Sequence, residues 1–403
     1  MSTLNKNRLI FVDVLRLLAL LQMVNGHTLH ALLSQDVRQG GGYQGYLFFR
    51  GLVSVAFMLV AGLAFYLTTL LRPGAWTGAA RRKRCLRALE IIAIGFLLRL
   101  PLSALLRADV HGLRAALPSV LQIDVLPCIG VSLLMLEGML WLLRTPRAVA
   151  LACAGLCALA AVAAPWGASL PTALPLGSLT TWLGPQAGSS FPLLPYAGFV
   201  FAGVWVGALV LPLGAATPAP RVAARLVGVA GLLALSSSLA SRLPLTVVPG
   251  VHTPGFFGLK LSLVVLACSA LSLALWRVSA LPALLATLTS ETLTIYVFHL
   301  FVLYGAPIAL ARRVGMSLEL PFALAVSASM LLSSAAFALA WKRAKAWPLA
   351  QRTWPWLRTS GLVLTSAWAL WLAWPAAVRA DRAEVSSPPR GVAPDVGAEV
   401  SRD

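Results

Sequence analysis

Acidic side chains are scarce in this sequence. It has 13 Asp and Glu among 403 residues against 32 Lys and Arg, and charged residues make up 11% of the whole, where a soluble domain carries about 25%. A water-facing surface cannot be built from so little charge, so a soluble globular fold is excluded. Cysteine is sparse too. Cys85, Cys128, Cys153, Cys157 and Cys268 form no CxxC pair and fall mostly inside apolar runs, which speaks against a disulfide or metal framework and leaves packing as their role. Also missing are a Gly-rich phosphate loop after a strand, a tandem repeat, and any polar stretch long enough to make a soluble domain.

What is present is apolar. Hydrophobic residues are 59% of the chain and the mean hydropathy is +0.83. Runs of about 20 apolar residues, the length that crosses ~30 Å of hydrocarbon, recur along nearly the whole chain. Hydropathy places spans near 9–33, 47–71, 88–108, 122–143, 147–165, 193–212, 221–241, 257–276, 290–311, 319–341 and 360–378. The expected fold is therefore all-α, a polytopic transmembrane bundle of about eleven helices, with ten or twelve as neighbouring counts. The domain expectation is one membrane domain over 1–378 and a disordered tail over 379–403, which is rich in Pro, Ala, Val and charge without periodicity.

The formal charge of +19 does not imply nucleic acid, because the Lys and Arg sit in short loops between apolar runs. With the N-terminus in the cytoplasm, the inner loops hold Arg72, Arg81–Arg84, Arg87, Arg144, Arg147, Arg221, Arg225, Arg277 and the Lys342–Arg358 group. The outer loops are poorer in positive charge, as the positive-inside rule requires. This fits a bacterial cytoplasmic membrane. Lys6 and Arg8 precede the first apolar stretch as in a signal peptide. Asp13 and Arg16 interrupt that stretch, however, and no small-residue cleavage site follows, so it is expected to stay attached as the first span.

That first span is the informative one. It holds Asp13, Arg16, Gln22, Asn25, His27, Thr28 and His30, and each ionised group at the bilayer centre costs about 2.5 to 3.5 kcal/mol on insertion scales. Such groups face a protein interior or a water-filled cavity. Asp13 and Arg16, three apart, share a helix face and form either a structural ion pair or a docking point for a phosphorylated cosubstrate. His27 follows Asp13 by fourteen residues, about 21 Å along a helix and near the opposite membrane face. A histidine there serves as general base, as acyl acceptor, or as an interfacial group bonded to a neighbouring helix. Further embedded polar groups are Glu90, Arg99, Asp124, Glu137, Lys260 and Glu291.

The order Arg8, Asp13, two residues, Arg16, then an apolar run ending in Met23-Val-Asn-Gly-His27 resembles the opening helix of multi-pass membrane acyltransferases. Among these it is most similar to the heparan-alpha-glucosaminide N-acetyltransferase-like group. Phe57-Met58-Leu59-Val60-Ala61-Gly62 resembles the second-helix core of that group, and Leu126-Pro127-Cys128-Ile129-Gly130 a later segment. Leu293-Thr294-Ile295-Tyr296-Val297-Phe298-His299 is similar to a Tyr-x-x-His helix of that group and of bacterial O-acetyl transferases. Leu17 stands where the group commonly has Gly.

The resemblance implies transfer of an acyl group, commonly acetyl from acyl-CoA, to a carbohydrate or other small acceptor on the far side of the membrane, with no metal. It makes His27 the candidate catalytic histidine and Asp13 with Arg16 its support. Asn25, Arg99 or His299 would be donors to an oxyanion, and Arg81, Arg82, Lys83 and Arg84, with Arg99, would be candidates for holding the CoA phosphates. The basic cluster has a second reading as an orientation signal touching anionic lipid. Membrane lipids and the acceptor are the expected partners, with a homodimer conceivable. A transporter or flippase using Asp13, Arg16, Arg99, Glu137 and His299 stays open, as does a non-catalytic relative.

Overall fold

The computed structural model describes residues 9–101, 107, 109–169, 181–185, 188–211, 218–242, 253–305 and 308–347. All of these lie in the first of two compact units, residues 1–355. Among the described residues fourteen α-helices follow one another: α1 Ile10–Leu32, α2 Gln35–Gln39, α3 Gly41–Phe65, α4 Gly78–Leu97, α5 Val110–Val120, α6 Val125–Leu143, α7 Pro146–Ser169, α8 Leu193–Val210, α9 Ala219–Ala240, α10 Pro254–Ala274, α11 Ala283–Ser290, α12 Thr292–Tyr304, α13 Leu310–Val314 and α14 Leu320–Lys345. Among the described residues there is no strand, only an isolated bridge between Leu33 and Leu318. The protein is an all-α polytopic bundle. Inside hydrocarbon a helix satisfies its own backbone polar groups, which is why the apolar runs fold this way.

Among the described residues eight helices are long and apolar enough to cross a membrane: α1, α3 with its π-helical extension to Leu70, α6, α7, α8, α9, α10 and α14. They coincide with expected spans. Two expectations need correcting. The span expected at 290–311 is two helices, α11 and α12, meeting at 68°. Around the joint, the Thr289, Ser290 and Thr292 hydroxyls donate to the carbonyls of Ala286, Thr287 and Thr289, a local alternative to the helical ladder. The span expected at 88–108 is α4, shifted to 78–97. The Thr77 side chain accepts from Ala80 N at 3.3 Å and starts the helix early, so the arginine run lies inside it and not before it. The expected span 360–378 and the tail 379–403 lie outside the described residues.

Large apolar side chains point outward: Leu142 is 72% exposed, and Leu151 and Leu332 are each 73% exposed. In water these would be a liability; against acyl chains they are the favourable face. Inside, small residues let helices approach closely. A Cβ on Gly62 would fall 1.8 Å from Val200 O, and one on Gly203 2.1 Å from Leu59 O, so α3 and α8 cross in near backbone contact. Serines join α10 to α9, with Ser262 and Ser269 donating to Ala230 O and Ala223 O at 2.8 and 2.9 Å. α1 sits at the centre, packed against α3, α10, α12 and α14. This placement turns Asp13, Asn25, His27 and Thr28 into the bundle, while His30 is exposed.

Candidate functional site

Alongside α1 runs a cavity of about 1090 Å³. Arg16 lines it at one end and His30 at the other, fourteen residues apart and hence about 21 Å along the helix. The Arg16 end is completed by Thr68 and Thr69 of the second span, Arg84 and Arg87 of α4, Glu137 of α6, and residues at the α11–α12 joint. His27, His30, Arg50, Lys260 and Tyr304 line the opposite end. Polar groups at both ends of one helix therefore open into one space.

His27 is the centre of the far end. Its ring stands 5.4 Å from that of His299, tilted at 49°, and His299 also meets Tyr296 edge to face at 5.6 Å. His299 is fully buried and is not among the lining residues. Its Nδ1 lies 2.9 Å from Ile295 O, which assigns the proton to Nδ1 and leaves Nε2 as an acceptor. That Nε2 is buried with no partner among the described residues. Asn25 does not face the cavity. Its amide donates to Ser327 Oγ at 3.1 Å and accepts from the Tyr46 hydroxyl at 2.9 Å, tying α1 to α14 and α3.

At the near end Asp13 is buried and lies 4.0 Å from Arg16, one turn away. Arg16 reaches the cavity; Asp13 is not among its lining residues. Of the basic cluster only Arg84 lines it, with Arg81 half-buried and Arg82 and Lys83 exposed. Arg84 holds Glu137 with two bonds, from Nε to Oε1 and from Nη2 to Oε2 at 3.0 Å, and donates to Ala75 O at 2.6 Å. Arg87, which the sequence reading did not single out, lines the cavity and pairs with Glu90 at 2.8 Å. Arg99 is fifteen residues beyond Arg84, at the opposite end of α4, so one phosphate group cannot engage both. It binds Gln122 Oε1 at 2.7 Å and Ser119 O at 3.0 Å and faces Asp124 at 3.6 Å.

Sequence reasoning missed Arg50 and underused Lys260. Arg50 lies in an apolar stretch beside an aromatic pair, and its stem would touch a Cβ on Gly26 at 3.0 Å, the residue next to His27. Among the described residues no group of three or more His, Cys, Asp or Glu side chains is arranged as metal ligands would be.

The model of the family described as heparan-alpha-glucosaminide N-acetyltransferase, catalytic, matches residues 8–238, more than half of the 403. The chain belongs to that family. It is thus an integral membrane protein of an acyltransferase family. The match takes in His27, Arg50, Arg84, Arg99 and Glu137, while Lys260 and His299 come from helices beyond it. No curated protein and no solved structure matches the chain.

Proposed function

We propose that the protein transfers an acyl group from acyl-CoA, entering at the Arg84 end, to an acceptor bound at the His27 end. The observation that carries this reading is the single cavity that runs along α1 from Arg16 to His30. Arg16, Arg84 and Arg87 on the cavity, with Arg81, Arg82 and Lys83 on the same helix as Arg84, supply a basic face for the CoA phosphates. The pantetheine arm then runs beside α1 and brings the thioester carbonyl to His27.

Neutral His27 takes the proton from an acceptor hydroxyl or amine as that atom attacks the thioester carbon. The tetrahedral intermediate carries an oxyanion that needs a fixed donor. Of the three donors considered, Arg99 is the one lining the cavity, and its Nε has no hydrogen-bond partner among the described residues. Collapse breaks the carbon–sulfur bond, and the imidazolium returns its proton to the departing CoA thiolate. Asp13 holds Arg16 in place, Asn25 fixes the C-terminal half of α1, and His299 orients the His27 ring. The outward-facing acceptor site is consistent with a cytoplasmic N-terminus in a bacterial inner membrane.

The test is CoA release and label transfer from radiolabelled acetyl-CoA by purified protein, offered a panel of glycans and amines, with His27→Ala beside it. Transfer lost in the variant with acetyl-CoA binding kept is the expected result. A protein that binds no acetyl-CoA at all would overturn the reading.

A further inference from the structure

The cavity is lined by six cations, Arg16, Arg50, Arg84, Arg87, Arg99 and Lys260, and by two carboxylates, Asp124 and Glu137. Four of the cations have acidic partners: Arg16 with Asp13, Arg84 with Glu137, Arg87 with Glu90 and Arg99 with Asp124. Arg50 and Lys260 have none among the described residues, and both are at the His27 end. Lys260 is only 7% exposed. Its ammonium lies 4.4 Å above the Phe256 ring, a contact that does not neutralise it. Arg50 Nη1 is buried without a hydrogen-bond partner. A buried ammonium and a half-buried guanidinium left uncompensated are costly, and proteins keep such groups where a ligand completes them.

Both cations reach the cavity beside α3. A Cβ on Gly51 would lie 3.0 Å from Lys260 Nζ, and one on Gly26 3.0 Å from Arg50 Cγ and Cδ. Two glycines thus make room for two cationic side chains, and Gly26 adjoins His27. We infer that Arg50 and Lys260 form an anion subsite for the acceptor, which carries a carboxylate, phosphate ester or sulfate ester next to the hydroxyl or amine that is acylated. This rests on the acyl-transfer reading for the word acceptor; the subsite itself rests on the two unpaired cations. Arg50 supplies a planar donor fork and Lys260 a point charge, a pair suited to a tetrahedral or planar anion. The alternative source of the same chemistry is a phosphate of the acyl donor.

The experiment measures the thermal stability of the purified full chain by tryptophan fluorescence at fixed ionic strength. Matched additives are glucuronate against glucose, glucosamine 6-phosphate against glucosamine, and inorganic sulfate. The charged member of each pair raises the melting temperature and the neutral one does not. In Arg50→Gln and Lys260→Met the apparent affinity for the charged sugars falls about tenfold or more, as loss of a charge-assisted hydrogen bond predicts. Gly51→Ala, which crowds the ammonium without removing charge, weakens it less. Retained acetyl-CoA binding in these variants assigns the anion to the acceptor. A parallel loss of acetyl-CoA binding overturns that assignment in favour of the donor's phosphates. Equal stabilisation by charged and neutral sugars in the unmodified protein overturns the subsite with no variant needed. Anion binding in a protein that binds no acetyl-CoA leaves the subsite standing and removes the transfer reading instead.

Discussion

His27 lines one end of the cavity with its ring 5.4 Å from that of His299. A histidine flanked by Gln22, Asn25 and Thr28 in an otherwise apolar helix is conspicuous because lipid penalises every one of those groups, and the structure places it on the cavity. His27→Ala is expected to lower turnover by about 10² to 10⁴-fold, the worth of a positioned general base. His30→Ala, at an exposed position, should cost far less. Steady-state kinetics of the two variants decide which histidine acts. The Arg84–Glu137 pair belongs to the same scale. Glu137 is 4% exposed, so Glu137→Ala leaves a partly buried guanidinium unmatched, with an expected cost of about 3 kcal/mol. Replacing both partners with apolar residues of similar volume should recover most of it, and denaturation in detergent reads the difference. Partnerships of this kind were not legible in the sequence. Arg84 and Glu137 are 53 positions apart, and no linear pattern says which carboxylate an arginine meets or that Arg50 meets none. For the same reason Asn25, a plausible oxyanion donor in sequence, proves to be a tie between helices.

At the scale of elements, apolar length located eight helices to within a few residues because crossing hydrocarbon fixes it. It failed where local chemistry outranks length. Thr77 caps α4 ahead of its apolar half, and the Thr/Ser-rich joint bends α11 against α12. That joint is clamped from α14. Lys345 Nζ donates to both oxygens of Glu291 at 2.7 and 2.8 Å, Thr294 Oγ1 donates to Oε2 at 2.7 Å, and Lys342 donates to Thr287 Oγ1 at 2.8 Å. Lys345→Ala should raise amide exchange across 283–304 by a local loss of about 2 kcal/mol; unchanged exchange would show that the clamp is idle. The crossing of α3 and α8 makes a complementary prediction. Gly62→Ala drives a methyl into the Val200 carbonyl, so the helices must part, at an expected cost of about 1–3 kcal/mol. A melting temperature equal to that of the unmodified protein would contradict the close crossing.

For the whole molecule, the orientation derived from charge asymmetry can be tested directly. With Cys85 replaced by Ser, a cysteine introduced at Gln39 should react with an impermeant maleimide on intact cells, and one at Gly78 only after permeabilisation; the reverse pattern would invert the protein in its membrane. Either way, the cavity reaches along about 21 Å of a layer ~30 Å thick. A passage of that length, lined by charged groups along it, threatens any ion gradient held across the membrane. Fixed positive charge in a narrow polar path raises the electrostatic barrier to hydronium and metal cations. Arg50 and Lys260, unbalanced by any carboxylate among the described residues, would by this argument serve as insulation as well as in the proposed recognition. By this argument neutralising both should make proteoliposomes leak protons, which a trapped pH dye would report, whereas the unmodified protein should keep the bilayer sealed.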